Sequence, residues 1–323
     1  MKPVLALVGP TGVGKTELAL FLAQNLDGEI VSVDSRLLYR GMDIGTAKPT
    51  PAQRKAVPHH LIDVADPQEV WSLGRFRQEV YRIVEDVQAR GRTVLLAGGT
   101  GQYMAAILDG WAPPELPPDP DLRHALNDFA AAHGAAALHA RLAKLDPPAA
   151  HRIDPRNIRR VIRALEIVQA QGPSDSRPGQ RRPPLFESLR IGLRLPRAEL
   201  YARLDARLDR MLADGLVEEV RVLLARGCSP DLPSMSAIGY RQIAAHLRGE
   251  GTLESAVARV RQATRRFVRH QANWFRQDDP RIRWFDVGPG YEASVLTWVR
   301  DRVDRFRRGV TPRLGDPSLP RNG

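Results

Sequence analysis

An apolar run near the start of the chain, Val4 to Val8, passes directly into Gly9, Pro10, Thr11, Gly12, Val13, Gly14, Lys15 and Thr16, then into the apolar stretch Leu18 to Leu20. This order constrains the fold more than any other feature. A buried strand ends, glycines let the backbone turn its N–H groups inward, and a helix begins with its positive dipole end facing the enclosed space. The spacing G-x-x-x-x-G-K-[ST] is that of a phosphate-binding P-loop, in which Lys15 neutralises the bound oxygens and Thr16 holds Mg²⁺. The loop does not say which phosphate compound it takes; a bare glycine-rich turn is the plainer alternative.

Glu29 to Val33 predicts a second buried strand ending at Asp34. Arg92 to Ala97 predicts a third, ending in Gly98, Gly99, Thr100 and Gly101. Strands that alternate with helices imply a parallel sheet, and such sheets bind ligands outside the carboxyl ends of their strands. The P-loop, Asp34 and Thr100 are therefore expected to share one crevice. The predicted fold is α/β: a P-loop NTPase-like parallel sheet flanked by helices, with an inserted all-helical domain.

The proline-dense stretch from Pro113 to Pro120 marks a boundary, and alanine-rich helical segments follow it. The core is assigned to 1–115 and 190–308, the insert to 116–189, and a frayed polar tail to 309–323. Asp154 and Pro155 predict an N-cap and first-turn proline for a helix with Ile158, Ile162 and Leu165 on its apolar face, and Arg156, Arg159, Arg160 and Arg163 largely opposite. Gly172 to Pro184 reads as a mobile loop. Amphipathic helices are predicted over Ala198–Ala225 and Leu253–Phe275, the second with Val260, Ala263, Phe267 and Trp274 inward.

With 48 Lys and Arg against 37 Asp and Glu, the chain carries a net charge of +11. Such an excess suits a polyanionic partner, because basic side chains gain affinity by displacing counterions from a phosphate backbone; simple solubility is the alternative. The single cysteine, Cys228, excludes an internal disulfide and a multi-cysteine zinc site, and reads as an inert thiol at a helix end. No apolar run approaches the ~20 residues of a membrane span. The first strand leaves no room for a signal peptide. A cytoplasmic location without membrane contact is expected.

Three long markers then coincide: Gly9 to Thr16, the stretch from Asp34 and Ser35 through Tyr39 to Pro49, and His59 to Asp63. With Gly98 to Gly101, Arg160 to Glu166, Ala237 to Gln242 and Arg269 to Arg276, these resemble, in order, the bacterial tRNA dimethylallyltransferase family. Leu38 and Gln102 depart from its commonest pattern, Gln and Leu respectively, at positions the chemistry does not need. With one cysteine, the chain cannot form the C-terminal zinc finger that eukaryotic members often carry.

The resemblance implies transfer of a dimethylallyl group from dimethylallyl diphosphate to N6 of adenosine 37, just 3′ of the anticodon, in tRNAs reading codons that begin with U. Diphosphate would leave into the P-loop, with Mg²⁺ as cofactor and the anticodon stem-loop as partner; no protein partner is required, and a monomer is the default expectation. Asp34 is the implied base, although a strand-end carboxylate also fits Mg²⁺ or a kinase substrate. Arg207 is the implied catalytic arginine; on its own it also fits a solvated helix charge. Asp34, Ser35, Arg36, Leu37, Thr100 and Arg123 are implied to contact tRNA, as are Ile158, Arg159, Arg160, Val161 and Ile162. Ala237, Ile238, Gly239, Tyr240, Arg241 and Gln242 complete the implied contacts. His59 and His60 have no evident third metal ligand and read as structural.

Three other functions fit the loop. A small-molecule P-loop kinase using ATP has no need of an RNA-sized basic insert. An RNA-binding ATPase or GTPase would want a magnesium-binding aspartate where Gly98 and Gly99 stand. An isopentenyltransferase of free adenine nucleotides shares the chemistry but has less use for the arginines between Pro113 and Leu189.

Overall fold

The computed structural model describes residues 2–110, 116, 117, 119–174 and 185–308. The proposed tail, most of the 172–184 loop and half of the proline-dense stretch lie outside these. The chain divides into two compact units, Met1–Gly110 with Pro183–Gly323, and Trp111–Arg182.

The larger unit begins β1 (Val4–Val8), α1 (Lys15–Asn25), β2 (Gly28–Ser32), α2 (Pro51–Ala56), β3 (His59–His60), α3 (Leu73–Ala89), β4 (Thr93–Ala97) and α4 (Gly101–Leu108). The smaller contains α5 (Pro120–Leu145), α6 (Pro147–Arg152) and α7 (Ile158–Gln171). The larger resumes with β5 (Ser188–Arg194), α8 (Arg197–Ala213), α9 (Leu216–Ala225), α10 (Tyr240–Leu247), α11 (Leu253–Ala272), β6 (Ile282–Asp286) and α12 (Tyr291–Arg307).

All six strands are parallel, in the order β3-β2-β4-β1-β5-β6. Strand alternation divides the core into two layers. Val4, Ala6, Val8, Val31 and Leu96 meet α3, α4 and α10 on one face, while Leu5, Leu7, Ile30, Leu95 and Ile191 meet α1 and α12 on the other. Burial on both faces is why β1 and the Val94–Ala97 part of β4 read as unbroken apolar runs. Leu5 pairs with Leu95 and Leu7 with Ala97, so β1 and β4 end side by side. Gly98 follows so close to β2 that a Cβ there would lie 2.0 Å from the Val33 carbonyl oxygen. Only glycine permits that approach.

Several boundaries differ from the sequence reading for local reasons. The predicted third strand is β4, because the two-residue β3 pairs at the edge of β2. Ser188 and Leu189, assigned to the insert, pair with Val4 and Leu5 and open β5. The 198–225 helix is two helices, parted where Gly215 takes φ 100°. Helix α7 is capped by Asn157, whose side chain accepts from the Arg160 amide, whereas Asp154 accepts from Arg156 in the preceding turn. Phe267 and Trp274 are 38% and 47% exposed rather than inward; Ala256, Val260, Val268 and Gln271 are the buried residues of α11.

In the smaller unit, Leu126, Leu138, Leu142, Val161, Ile162 and Leu165 form a separate core. Helix α5 bends at Gly134, with φ 85° and ψ 161°. The buried Glu166 carboxylate accepts a fork from Arg123 at 2.8 and 2.9 Å and the Asp119 amide at 3.0 Å, tying α7 to the start of α5.

Near the amino ends of β2 and β4, buried Glu29 gathers Arg90, Arg92 at 2.8 Å and His60 at 2.6 Å. His59 meets the Val57 carbonyl through Nδ1 at 2.8 Å. The histidine pair thus fastens an edge strand. Burial opposes ionisation of Glu29, but hydrogen bonds from Arg90, His60 and Arg92 outweigh it and hold the carboxyl at about 2 against 4.5. Because the folded value is the lower, this stabilisation is present above pH 4.5 and is lost as pH falls toward about 2. Glu29→Gln should cost about 2 kcal/mol at neutral pH. Urea unfolding across a pH series should also flatten over that acid window; an unaltered acid limb would refute the assignment.

Candidate active site

The carboxyl ends of β1, β2 and β4 open into a cavity of about 820 Å³ lined by Gly12, Gly14, Lys15, Thr16, Asp34, Gly98 and Gly99. Gly14, at φ 108°, precedes α1 without a side-chain cap, leaving the first-turn N–H groups for an anion. Val13 is fully buried and offers the loop only its backbone. The Lys15 ammonium donates to the Gly9 and Pro10 carbonyls at 2.9 and 2.7 Å. Burial lowers its pKa to about 8, with Arg207 adding to the effect and Asp34 opposing it.

One member of the loop is already committed. The Thr11 amide donates to Gln271 Oε1 at 2.9 Å, and Gln271 Nε2 donates to the Gly99 carbonyl at 2.8 Å. The amides of the P-loop that remain for an anion therefore begin at Gly12. Gln271 locks the P-loop to the end of β4. Gln271 lies inside the Arg269–Arg276 marker of the resemblance, but no role was expected of it.

Helix α8 supplies the opposite wall. Arg203, Arg207 and Arg210 all line the cavity, at the three- and four-residue spacing that aligns side chains on one helix face. None has an ion-pair partner among the described residues, whereas the intervening Asp205 and Asp209 pair with Arg265 at 2.7 Å and Arg261 at 2.6 Å. Burial lowers the Arg207 pKa, against the attraction of Asp34 and Glu17. The sequence pointed to Arg207 alone, although the spacing of all three was legible.

A second cavity of about 450 Å³ is lined by Asp34, Ser35, Arg36, Thr100, Ile238 and Gly239, with Leu204, Leu208, Met211 and Val260 as apolar walls. Both cavities include Thr11, Asp34, Thr46, Arg207 and Phe267. Asp34 Oδ1 accepts the Arg36 amide at 2.9 Å, and Thr100 Oγ1 accepts the Ser35 amide at 3.4 Å. The Arg36 guanidinium reaches the Pro233 carbonyl and, at 3.1 Å, Ser236 Oγ, holding the loop before Ala237. Leu37 lines the P-loop cavity rather than the second one.

The residues expected at RNA divide by exposure. Arg159, Arg160 and Arg241 are exposed, whereas Val161 and Ile162 belong to the helical core and Ile158 packs against it. Tyr240 is fully buried and donates to Glu219 Oε1 at 2.5 Å. Glu219 also accepts the amides of Asp43, Ile44 and Gly45, so Tyr240 fixes that loop and its side chain is not available to a nucleic acid. Gln242 Oε1 accepts the Gly239 amide at 2.9 Å, shaping the turn from within. Arg123 spends its guanidinium on Glu166. Burial raises the Cys228 pKa, in keeping with an inert thiol.

Among the described residues, no helix is long and apolar enough to cross a membrane, and no group of three or more His, Cys, Asp or Glu could hold a metal ion. Thr11, Thr16, Glu17 and Asp34 nevertheless bring hard oxygen donors to the P-loop cavity. That set fits Mg²⁺, which keeps water and substrate phosphate among its ligands and takes only one or two groups from protein.

A family model described as IPP transferase matches residues 37–278. The chain is 54% identical over 304 residues to the tRNA dimethylallyltransferase of Roseiflexus sp. (strain RS-1), covering 94% of this chain and 100% of that protein. To the enzyme of that name from Thermomicrobium roseum it is 48% identical, covering 100% of this chain and 96% of the other. The crystal structure of the full-length tRNA isopentenylpyrophosphate transferase from Bacillus halodurans is similar with a TM-score of 0.72 and 38% identity, over 95% of this chain and 99% of that one. A eukaryotic dimethylallyltransferase captured acting on tRNA is similar with a TM-score of 0.79 and 25% identity, over 97% of this chain and 81% of that one.

Proposed function

Because this chain belongs to the IPP transferase family, we infer that it transfers a dimethylallyl group from dimethylallyl diphosphate to N6 of adenosine 37 in tRNA, releasing diphosphate. One observation carries the reading: a phosphate-binding cavity and an apolar-walled cavity share Asp34, Arg207 and Phe267. An anionic donor and a planar acceptor need separate chambers, and transfer needs them to meet.

In the reaction, the N6 lone pair forms a bond to C1 of the dimethylallyl group while the C1–O bond breaks and its pair departs on diphosphate. Negative charge grows on the leaving group, so electrostatic stabilisation there is the largest catalytic contribution. Lys15, Arg207 and the amides from Gly12 onward supply it, with Arg203 and Arg210 adding positive potential. Thr16 would hold Mg²⁺, which would neutralise charge on the leaving group.

Asp34 accepts an N6 hydrogen and takes the proton as the bond forms. One of its oxygens is occupied by the Arg36 amide, leaving the other for the base. Thr100, Ser35 and the Ile238–Gly239 turn hold the extruded adenosine, as an enzyme must when it works on a base outside its stack. Arg36, Arg159, Arg160 and Arg241 meet the RNA backbone. The enzyme acts as a monomer in the cytoplasm.

The test is mass spectrometry of nucleosides from unmodified tRNA incubated with the protein, Mg²⁺ and dimethylallyl diphosphate, with AMP present as a competing acceptor. N6-dimethylallyladenosine in the tRNA alone is expected. Modification of AMP alone would make this a free-nucleotide enzyme, and ATP consumption without prenyl transfer would restore a kinase.

A further inference from the structure

Phe267 is anomalous within its helix. Val260 and Val268 of α11 are 4% and 8% exposed, but the Phe267 ring is 38% exposed. Its exposure is into the site, since it lines both the phosphate cavity and the apolar-walled cavity. Among the described residues it is the one aromatic ring common to the two.

The ring also has free faces. Helix α11 is rich in arginine, and Arg265 lies over the Tyr201 ring at 5.2 Å. Other guanidiniums cover Trp71, Tyr81, Phe129, Phe285 and Trp298. Among the described residues no guanidinium or second ring covers Phe267.

Resting on the transferase reading above, we propose that Phe267 presents its π-face to the dimethylallyl group and stabilises the positive charge that builds on the allylic carbons as the C1–O bond lengthens. The bond changes are those already described: N6 supplies the pair for the new C–N bond, diphosphate leaves with the C–O pair, and Asp34 takes the proton. Phe267 exchanges no atom or electron.

The electrostatic need is specific to the seam. Lys15 and Arg207, which draw out the diphosphate, repel the positive carbon beside it. Asp34 is occupied with N6, and a second carboxylate could trap the allylic carbon as an ester. An aromatic face is negative without being nucleophilic. It also supplies the apolar contact that a five-carbon chain gains on leaving water.

The test is replacement of Phe267 by mono-, di- and trifluorophenylalanine, which nearly preserve ring shape while weakening the π-face in steps. Melting temperatures verify that the fold is retained. With dimethylallyl diphosphate and tRNA both saturating, the single-turnover rate constant should fall steadily along the series, by about tenfold at its end. Phe267→Tyr should retain the rate, and Phe267→Leu should lose at least as much as the trifluoro form. A rate indifferent to fluorination overturns the proposal. So does an effect confined to the KM for tRNA, which would assign the ring to adenine stacking. Failure of the unsubstituted protein to prenylate tRNA would sink the transferase reading, and this proposal with it.

Discussion

Replacing Asp34 by asparagine is expected to reduce single-turnover prenyl transfer by about 10³-fold while leaving tRNA binding nearly intact. The substitution keeps the shape at the end of β2, and the new carbonyl can still accept the Arg36 amide that Asp34 Oδ1 accepts at 2.9 Å. In the proposed reaction, the lost element is the group that takes the N6 proton. An exocyclic adenine amine is a poor nucleophile because its lone pair is delocalised into the ring. Without a carboxylate drawing on its hydrogen, attack on C1 is slow even when donor and acceptor are aligned. Fluorescence anisotropy with an anticodon stem-loop would register binding separately from chemistry. A loss of only a few-fold would remove Asp34 from the reaction and leave it as the residue that shapes the turn at Ser35.

Truncating Arg207 to alanine is expected to lower the transfer rate by 10²- to 10³-fold, roughly the cost of removing one preorganised partner from a growing negative charge. Lys15 should add a pH signature. Burial brings its pKa to about 8, so in the free enzyme its charge is present at lower pH and is lost as pH rises through that value. The charged form is the one that receives diphosphate. The kcat/KM for dimethylallyl diphosphate should therefore fall above pH 8, approaching about tenfold per unit, and Lys15→Arg should remove that limb. The two groups act on the same oxygens and lie close enough to couple, so the double variant should lose less than the product of the single losses. A flat profile through pH 9 would mean that Lys15 does not set donor capture.

How legible a residue was depended on whether its environment is local. The P-loop, β1, β2 and β4 could be read because strands buried on both faces are mostly apolar whatever they pair with, Glu29 of β2 being the charged exception that Arg90, Arg92 and His60 balance. The break at Gly215 and the aligned Arg203, Arg207 and Arg210 were also readable, from an Asp-Gly pair and from helical spacing. Phe267 was misread for a reason inherent in periodicity. A helix face turned toward a wet cleft carries the same apolar spacing as one turned toward the core. Tyr240, Val161 and Ile162 show the converse. They sit inside stretches that resemble an RNA-contacting pattern, yet Val161 and Ile162 fill the core of the smaller unit and Tyr240 fixes the Asp43–Gly45 loop through Glu219.

The sequence by itself determined the phosphate loop, the carboxylate at the end of β2, the basic balance and the presence of a helical insert, because each depends on residues adjacent along the chain. Only the tertiary structure decided which side chains share the site. The strand order β3-β2-β4-β1-β5-β6 sets the ends of β1, β2 and β4 side by side. The bond from the Thr11 amide to Gln271 spans 260 positions of chain. Arg207 and Phe267 join Asp34 only after α8 and α11 have packed against the sheet. Such contacts are set by the burial and pairing of whole elements, a nonlocal balance that no short stretch of residues records.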